Sequence, residues 1–253
     1  MDRTLAGRAE IHFHILPGVD DGPATMEESL ELARLAVRDG TRTVVATPHV
    51  RGDFLTDVQE LPERVRELNA RLRLEGIPLV VLQGAEVGPD MVASLGAAAL
   101  EQVAVGPPGA RWILLEPPFQ SLAGALDAAA ELRARGYTVV LAHPERSAGV
   151  LTSGCRLLRQ ELAAGSLVQI SVSSLLGHHG SEAQVAARHL VEMRLAYVVS
   201  SDAHSPRRPP GLGPAMDFLL AEGRTFAEVR RLVETAPRDL VVGGAPQRMP
   251  LAA

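Results

Sequence analysis

The stretch that decides the fold runs over residues 9–22 and reads AEIHFHILPGVDDG. Its first half predicts a strand over 9–15, in which His12 and His14 are two residues apart and project from one face. Its second half enters a long loop rich in Gly, Pro and Asp, and loops of that length are often functional. A strand that delivers two histidines to such a loop therefore indicates a site at its carboxyl end.

The same alternation of an apolar run and a helical segment recurs along the chain. We predict an α/β fold with parallel strands, in which a closed barrel and an open doubly wound sheet both fit the pattern. No linker or repeat interrupts the order, so a single domain over 1–253 is expected. The predicted strands are 9–15, 43–46, 79–83, 112–115, 138–141, 167–172 and 196–200. The predicted helices are 25–39, 57–75, 90–101, 121–135, 153–164, 181–193 and 214–235.

Ionisable side chains stand at the carboxyl ends of six of the seven predicted strands. The carboxyl ends of parallel strands meet at one face, so these side chains should lie together. Imidazole and carboxylate are standard ligands of divalent metals, whereas crowded carboxylates alone would repel one another. The candidate ligands are His12, His14, Asp21, His49, Glu86, Glu116, His143, Asp202 and His204, with Asp20 beside them.

Two arginines follow the candidate ligands closely. Arg146 lies three residues after His143, and Arg208 lies in a proline-rich loop after His204. A guanidinium binds phosphate oxygens bidentately and stabilises charge on a transferring phosphoryl group. Several divalent ions would more than neutralise the carboxylates. The pattern thus predicts a site for a phosphorylated anion.

Composition excludes rival chemistries. All 25 basic residues are arginine, so Schiff bases, a P-loop lysine and the carboxylated lysine of binuclear amidohydrolases are absent. A cysteine-dependent phosphatase needs Arg six positions after its nucleophile, but Glu161 holds that position relative to Cys155. We therefore expect Cys155 to be a buried structural thiol.

Charge and hydropathy limit the partners. The 253 residues carry a formal charge of −5 without a basic tract, which argues against nucleic acid. No apolar run approaches the roughly 20 residues of a membrane helix, and the first ten residues lack a signal-peptide core. With one cysteine, the expected location is the cytoplasm.

Six segments together resemble a known family. HFHILPGVDDG over 12–22 resembles the opening signature of the PHP (polymerase and histidinol phosphatase) superfamily. More narrowly, it is similar to the manganese-dependent tyrosine-protein phosphatases of the CpsB/CapC type, from capsule and exopolysaccharide operons. Thr47-Pro48-His49, Gly84-Ala85-Glu86, His143-Pro144-Glu145-Arg146, Ser201-Asp202-Ala203-His204 and Arg208-Pro209-Pro210 match in order.

The resemblance implies a distorted (βα)7 TIM-like barrel, the PHP fold, with three divalent ions. Manganese is the family's usual metal, and Fe, Zn or Mg substitute. The implied ligands are His12, His14, Glu86 and Asp202 for one ion, Glu86, Glu116 and His143 for a second, and Asp21, His49 and His204 for the third.

Four positions depart from the family pattern without removing a ligand. Phe13 replaces a frequent Cys, Glu10 a frequent Asp, and Ser147 the usual Tyr. The segment 171–174 reads SVSS and lacks the usual Asn. The last two departures put the substrate in question rather than the chemistry.

The implied activity is hydrolysis of a phosphomonoester, foremost phosphotyrosine on a protein, by a metal-bridged hydroxide. Arg146 and Arg208 would hold the phosphoryl oxygens, and His204 is a candidate general acid. The implied partner is a bacterial tyrosine kinase of polysaccharide synthesis. Two alternatives stay open: a small-molecule PHP phosphatase, for instance of histidinol phosphate, and a catalytically silent phosphopeptide-binding regulator.

Overall fold

The computed structural model describes residues 7–54 and 56–246. Short parallel strands form its centre, and each predicted strand is found within a few residues of its predicted ends. The strands are β1 (Arg8–Phe13), β2 (Thr41–Ala46), β3 (His49–Val50), β4 (Val80–Gln83), β5 (Glu86–Val87), β6 (Trp112–Leu115), β7 (Thr138–Ala142), β8 (Leu167–Ser171) and β9 (Val198–Ser200).

Helices connect the strands and pack outside them. In the described ranges they are α1 (Met26–Arg38), α2 (Leu61–Leu74), α3 (Pro89–Val92), α4 (Ala97–Val103), α5 (Leu126–Ala134), α6 (Thr152–Ala163), α7 (Val172–Leu175), α8 (Ser181–Glu192), α9 (Leu212–Ala221), α10 (Phe226–Arg230) and α11 (Ala236–Val242). Two 3-10 turns, Leu122–Ala125 and Pro144–Arg146, and a π-helical turn, Arg231–Thr235, complete the set. None of the helices in the described residues is long and apolar enough to cross a bilayer.

The strands close into a barrel. Pairing runs β1-β2-β4 and β3-β5-β6-β7-β8-β9, and β3 and β5 continue the paths of β2 and β4. The chain after β9 meets β1, because Asp202 N–H donates to His12 O (3.1 Å) and His14 N–H donates to Ala203 O (2.9 Å). The barrel is thus the correct one of the two architectures that fitted the sequence.

Two predicted strands are each followed by a break and a second, two-residue strand. Pro48 has no N–H for the ladder, so the chain breaks between β2 and β3. Gly84 separates β4 from β5, and a Cβ there would lie 2.6 Å from Val45 Cγ1. After both breaks the chain pairs again, with His49 opposite Glu86. The sequence did not predict these two-residue strands, which are too short for a periodic signal.

Helix prediction was wrong in detail near the C-terminus and around 90–101. The segment 90–101 forms two helices rather than one, and 214–235 divides into α9, α10 and the π-helical turn. Helix α11 was not predicted. Pro237 in its first turn looks like a helix terminator in sequence, yet proline is favoured at helix starts.

Apolar side chains fill the barrel at the amino ends of its strands. Ile11, Val45, Trp112 and Val198 are buried there, and the indole N–H of Trp112 donates to Leu240 O (3.0 Å) in α11. A second cluster lies between the barrel and its helices. The remaining interior, at the carboxyl ends, holds the ionisable side chains.

A β-bulge in β1 shapes that end. The register with β2 shifts between Glu10 and Phe13, and the N–H groups of Ile11 and His12 both donate to Ser200 Oγ (3.2 and 3.1 Å). Bulges re-aim side chains next to active sites. Here Ile11 packs in the barrel core while the next residue, His12, enters the polar cluster.

Candidate metal centre and active site

The structure brings all nine candidate ligands together at the carboxyl end of the barrel. They form groups whose possible ligand atoms lie within 4.8 Å of one another. Except for Asp21, these side chains are buried. The groups are His14, Asp21, His49 and His204; His12, His143 and Asp202; His12, His14 and Glu86; and His49, Glu86 and Glu116.

His12 in β1 and His14 directly after it are held by their outer nitrogens. His12 Nδ1–H donates to Gln169 Oε1 (3.1 Å), and His14 Nδ1–H donates to Asp20 Oδ2 (2.6 Å). Both Nε2 atoms then face inward, 3.2 Å apart. A ligating histidine usually has its other nitrogen fixed in this way, which sets the tautomer.

Glu86 lies at the centre of the cluster. Its Oε2 is 3.2 Å from His12 Nε2 and 3.0 Å from His49 Nδ1, and its Oε1 is 3.0 Å from His143 Nε2. Burial raises the pKa of this carboxyl, but the surrounding imidazoles outweigh burial and lower the pKa well below its usual range. Glu86 is therefore a carboxylate that touches several of the candidate ligands.

Two of the candidate ligands have an uncommon backbone conformation. His143, directly after β7, has φ of 29°, and Asp202, after β9, has φ of 54°. Non-glycine residues in this region are strained and cluster at functional sites. The turns after these strands thus place the two side chains in the cluster at a cost to the backbone.

Three arginines surround the mouth. Arg208 Nη2 and Arg146 Nη1 both approach Asp202 Oδ2, at 3.0 and 3.5 Å. Arg51 Nη1 donates to Glu116 Oε2 at 2.7 Å. The three guanidinium groups therefore converge on the carboxylates of Asp202 and Glu116.

His204 is oriented like His12 and His14. Its Nδ1–H donates to the carbonyl oxygen of Asp202 (2.9 Å), and its Nε2 lies 3.2 Å from Asp21 Oδ1. Burial lowers the pKa of His204, and nearby His14 lowers it further. A neutral imidazole with a free Nε2 lone pair suits a ligand better than a general acid.

The cluster fits divalent metal ions by its donor chemistry. His49 Nδ1 and Glu86 Oε2 lie 3.0 Å apart, yet neither has a hydrogen bond of acceptable geometry in the described residues. Buried polar atoms without partners are costly. Two such atoms side by side, among imidazoles and carboxylates, can share a cation that satisfies both.

The cavity above this cluster is small, about 90 Å³. It is lined by candidate ligands, the three arginines and Phe119. A larger cavity of about 1020 Å³ lies at the amino ends of β2 and β4 and includes none of these residues. Chemistry rather than volume identifies the functional pocket, because the larger cavity lacks groups able to activate a substrate.

Sequence reasoning missed several residues of the site. Arg51 and Phe119 follow candidate ligands by two and three residues, and that proximity was the available signal. Gln169 lies inside β8, where the strand pattern gives no sign of a functional residue. Its Oε1 accepts from the ring Nδ1–H of His12 and from the backbone N–H of His143, both at 3.1 Å.

The remaining histidines and the cysteine lie outside the cluster. His178 is exposed, while His179 is half-buried, with Nδ1 3.1 Å from Ser174 Oγ. His189 lies on α8. Cys155 is buried, and burial raises its pKa, the opposite of what a nucleophilic thiol requires. The prediction of a buried thiol is confirmed.

Comparison with known proteins decides the family. The profile described as "Capsular polysaccharide synthesis, CpsB/CapC" matches residues 8–240. The chain belongs to the CpsB/CapC family. Among curated members, tyrosine-protein phosphatase YwqE of Bacillus subtilis is 36% identical over 198 residues, which cover 78% of this chain and 77% of YwqE. Tyrosine-protein phosphatase CpsB of Streptococcus pneumoniae is 28% identical over 241 residues, covering 92% and 98%.

Solved structures agree with this membership. A structure described with YwqE and CpsB as "unique metal-dependent tyrosine phosphatases" superposes with a TM-score of 0.81 and 31% identity, covering 97% of this chain and 100% of that one. A phosphotriesterase homology protein from Escherichia coli superposes with a TM-score of 0.61 at 17% identity, covering 94% and 99%, and shows the fold alone. The CpsB/CapC chain thus has an α/β barrel related to those of the amidohydrolases.

Positions that depart from the CpsB/CapC pattern have structural roles here. Phe13 is buried in the core. Glu10 accepts from Ser201 N–H at 2.6 Å, and burial raises its pKa to about 7. Ser147 Oγ–H donates to Pro118 O at 2.9 Å, between two loops of the pocket.

Proposed function

We propose that this CpsB/CapC chain is a metal-dependent phosphatase that hydrolyses phosphotyrosine on proteins. The observation that carries the proposal is a cluster of nine candidate imidazole and carboxylate ligands, seven of which line one pocket with the guanidinium groups of Arg146 and Arg208. The relatives described as tyrosine-protein phosphatases support the substrate class.

Three divalent ions, foremost manganese, are proposed for the cluster. His12, His14, Glu86 and Asp202 would hold the first ion. Glu86, Glu116 and His143 would hold the second, and Asp21, His49 and His204 the third. The groups in the structure support a shared Glu86, and they also place His49 beside Glu86 and Glu116. His49 therefore lies between the second and third sets.

Bound divalent ions lower the pKa of a coordinated water and neutralise charge on phosphoryl oxygens. The protein's own groups position the substrate. Arg146 and Arg208 reach the same carboxylate oxygen of Asp202, so an anion at the mouth can accept from both guanidinium groups. Gln169 holds the ring of His12 in place, and Asp20 holds the ring of His14.

The leaving group of a phosphotyrosine substrate needs less help from a general acid than an alkoxide leaving group does. A tyrosine side chain has a pKa of about 10, so its phenolate leaves more readily than an alkoxide. His204 donates its Nδ1 proton to a carbonyl, which favours the ligand role over the general-acid role. We therefore assign His204 to the third ion.

The biological setting follows from the family. CpsB/CapC proteins are described by capsular polysaccharide synthesis, which supports a role for this chain in the same process. We propose that its protein substrate is a bacterial tyrosine kinase of that pathway and that it acts in the cytoplasm.

The test is turnover by the manganese-loaded protein. A phosphotyrosine peptide should be hydrolysed faster than histidinol phosphate or a phosphoserine peptide. Replacing a residue that binds the metal directly costs more than the roughly 10- to 100-fold loss typical of residues that support a ligand, so Asp202→Asn should lower kcat/KM by at least about 100-fold.

Asp217→Asn is the matched control, because this exposed carboxylate lies on α9 away from the pocket. It should keep full activity. Absence of turnover with every metal, together with retained phosphopeptide binding, would instead identify a silent regulator. Faster hydrolysis of histidinol phosphate would identify a small-molecule phosphatase.

A further inference from the structure

An aromatic ring stands at the rim of the proposed phosphoryl pocket. Phe119 follows Glu116 through two prolines, and 42% of its surface is exposed. Large apolar side chains exposed in the described residues are few, and Phe119 is the one of them that lines this pocket. A single exposed apolar side chain is ordinary, so the informative feature is the position of this ring at the pocket and not its exposure.

The rim loop that carries the ring is anchored to the loop that carries Arg146. Ser147 Oγ–H donates to Pro118 O (2.9 Å), and Ala148 N–H donates to Phe119 O (2.7 Å). Two consecutive prolines restrict the same loop further. The backbone of Phe119 is therefore fixed relative to the guanidinium.

The ring itself lies against that guanidinium. Arg146 Cζ is 4.4 Å from the centroid of the Phe119 ring, within cation–π range. The centroid of the His143 ring is 6.3 Å from the centroid of the Phe119 ring. A phosphate held by Arg146 would thus lie close to Phe119, and the group esterified to it would emerge beside the ring.

The dimensions of the site place the organic part of the substrate at this rim. The inner pocket has about 90 Å³, well below the roughly 300–1,000 Å³ of ordinary ligand pockets. A neighbouring groove of about 380 Å³ shares Phe119, Arg51 and Glu116 with the inner pocket. The phosphoryl group fits inside, whereas a larger substituent must leave past Phe119 into the groove.

We propose that Phe119 is a specificity-determining residue that packs against the aromatic ring of an aryl phosphate and so favours aryl over alkyl monoesters. This inference rests on the proposed phosphatase function. It identifies the aromatic ring of the substrate as the feature that the site recognises. Aromatic pairs add about 0.5–1.5 kcal/mol beyond area burial, which corresponds to about two- to tenfold in affinity.

The experiment compares two inhibitors of the manganese-loaded protein by calorimetry and by inhibition of hydrolysis. Phenylphosphonate carries the ring, and methylphosphonate carries only the anion. Phe119→Ala should weaken phenylphosphonate about two- to tenfold and leave methylphosphonate unchanged. Phe119→Tyr should retain the preference, and kcat/KM for a phosphotyrosine peptide should follow the phenylphosphonate affinity.

Phe226→Ala is the matched control. Phe226 is also exposed, at 61%, and has Arg230 Cζ 5.8 Å from its ring, but it does not line the pocket. This variant should bind both inhibitors as the wild type does.

Two results would overturn the assignment. Equal weakening of both inhibitors by Phe119→Ala would mean that the ring acts only by ordering Arg146. Unchanged binding of both would mean that the ring contacts no substrate. Failure of the proposed function is distinguishable, because the wild type would then not hydrolyse the phosphotyrosine peptide in preference to the other monoesters, while direct calorimetry would still compare the two phosphonates.

Discussion

Asp20 is not a proposed metal ligand, but it positions two residues that are. Its carboxylate accepts from His14 Nδ1–H, from His49 N–H (3.0 Å) and from Gly22 N–H (2.9 Å). Burial raises the pKa of Asp20, but His14 and these donors outweigh burial and lower it. Asp20 therefore stays ionised and fixes two proposed ligands at once.

Replacing Asp20 by Asn should weaken manganese binding by about 10- to 100-fold, because the His14 tautomer and ring orientation lose their support. Electron paramagnetic resonance of free manganese measures this affinity. Asp57→Asn is the control. Asp57 lies on the surface, and its carboxylate also accepts from the backbone N–H of the residue two positions later, Gln59 (2.9 Å). Equal affinity of Asp20→Asn and wild type would contradict the positioning role.

At the scale of elements, helix α1 ends the loop that supplies Asp20 and Asp21. Thr25 Oγ1 accepts from Glu28 N–H (3.3 Å), and Ala24 N–H donates to Glu28 Oε2 (2.7 Å). Thr25 thus caps α1, whereas the Glu28 carboxylate accepts from the residue before the cap. The cap stops the helix from fraying into the loop that the site requires.

Thr25→Ala should lower the free energy of unfolding by about 1 kcal/mol, the usual cost of losing a helix cap. Thr225→Ala removes the capping box of α10 and should cost about the same. We expect Thr25→Ala alone to weaken manganese binding, because only α1 adjoins the site. Chemical denaturation and manganese titration of both variants measure the two effects, and equal manganese affinity would refute the link between cap and loop.

At the scale of the whole molecule, the polar cluster joins strands from all around the barrel. Without metal, burial lowers the pKa of His49, but Asp21 and Glu86 outweigh burial and raise it to about 9. A raised pKa stabilises the folded state below the unfolded value of about 6.5, and that contribution is lost as pH rises through 9. Metal binding requires the deprotonated imidazole. As pH rises, His49 loses its proton and the stabilisation of the metal-free protein falls, so metal binding becomes more favourable.

Manganese at 100 times its dissociation constant should stabilise the protein by about 2.7 kcal/mol, which corresponds to a Tm increase of about 5–10 °C for a chain of this size. At one fixed manganese concentration, the increase should be larger at pH 8 than at pH 6, because the dissociation constant falls as pH rises. Thermal denaturation with manganese and with a chelator at both pH values tests this. The Asp202→Asn variant should show a smaller increase, and an increase that falls with pH would contradict the proposed linkage.

The sequence by itself determined the chemistry and the class of fold. Apolar runs alternating with helical segments predicted parallel strands, and their carboxyl ends carried His12, Glu86 and Asp202 in a recognisable order. Prediction succeeded there because strand ends of one barrel necessarily share a face. Local patterns could not predict the two-residue strands, α7 or α11, which depend on packing rather than on periodicity.

Only the tertiary structure decided which atoms meet. His49 lies beside Glu86 because β3 and β5 pair after the breaks at Pro48 and Gly84. Gln169 reaches His12 across the barrel interior, and Phe119 lies against Arg146 because their loops are hydrogen-bonded. Distances between residues far apart in sequence are set by strand register and barrel closure, and no local pattern encodes them.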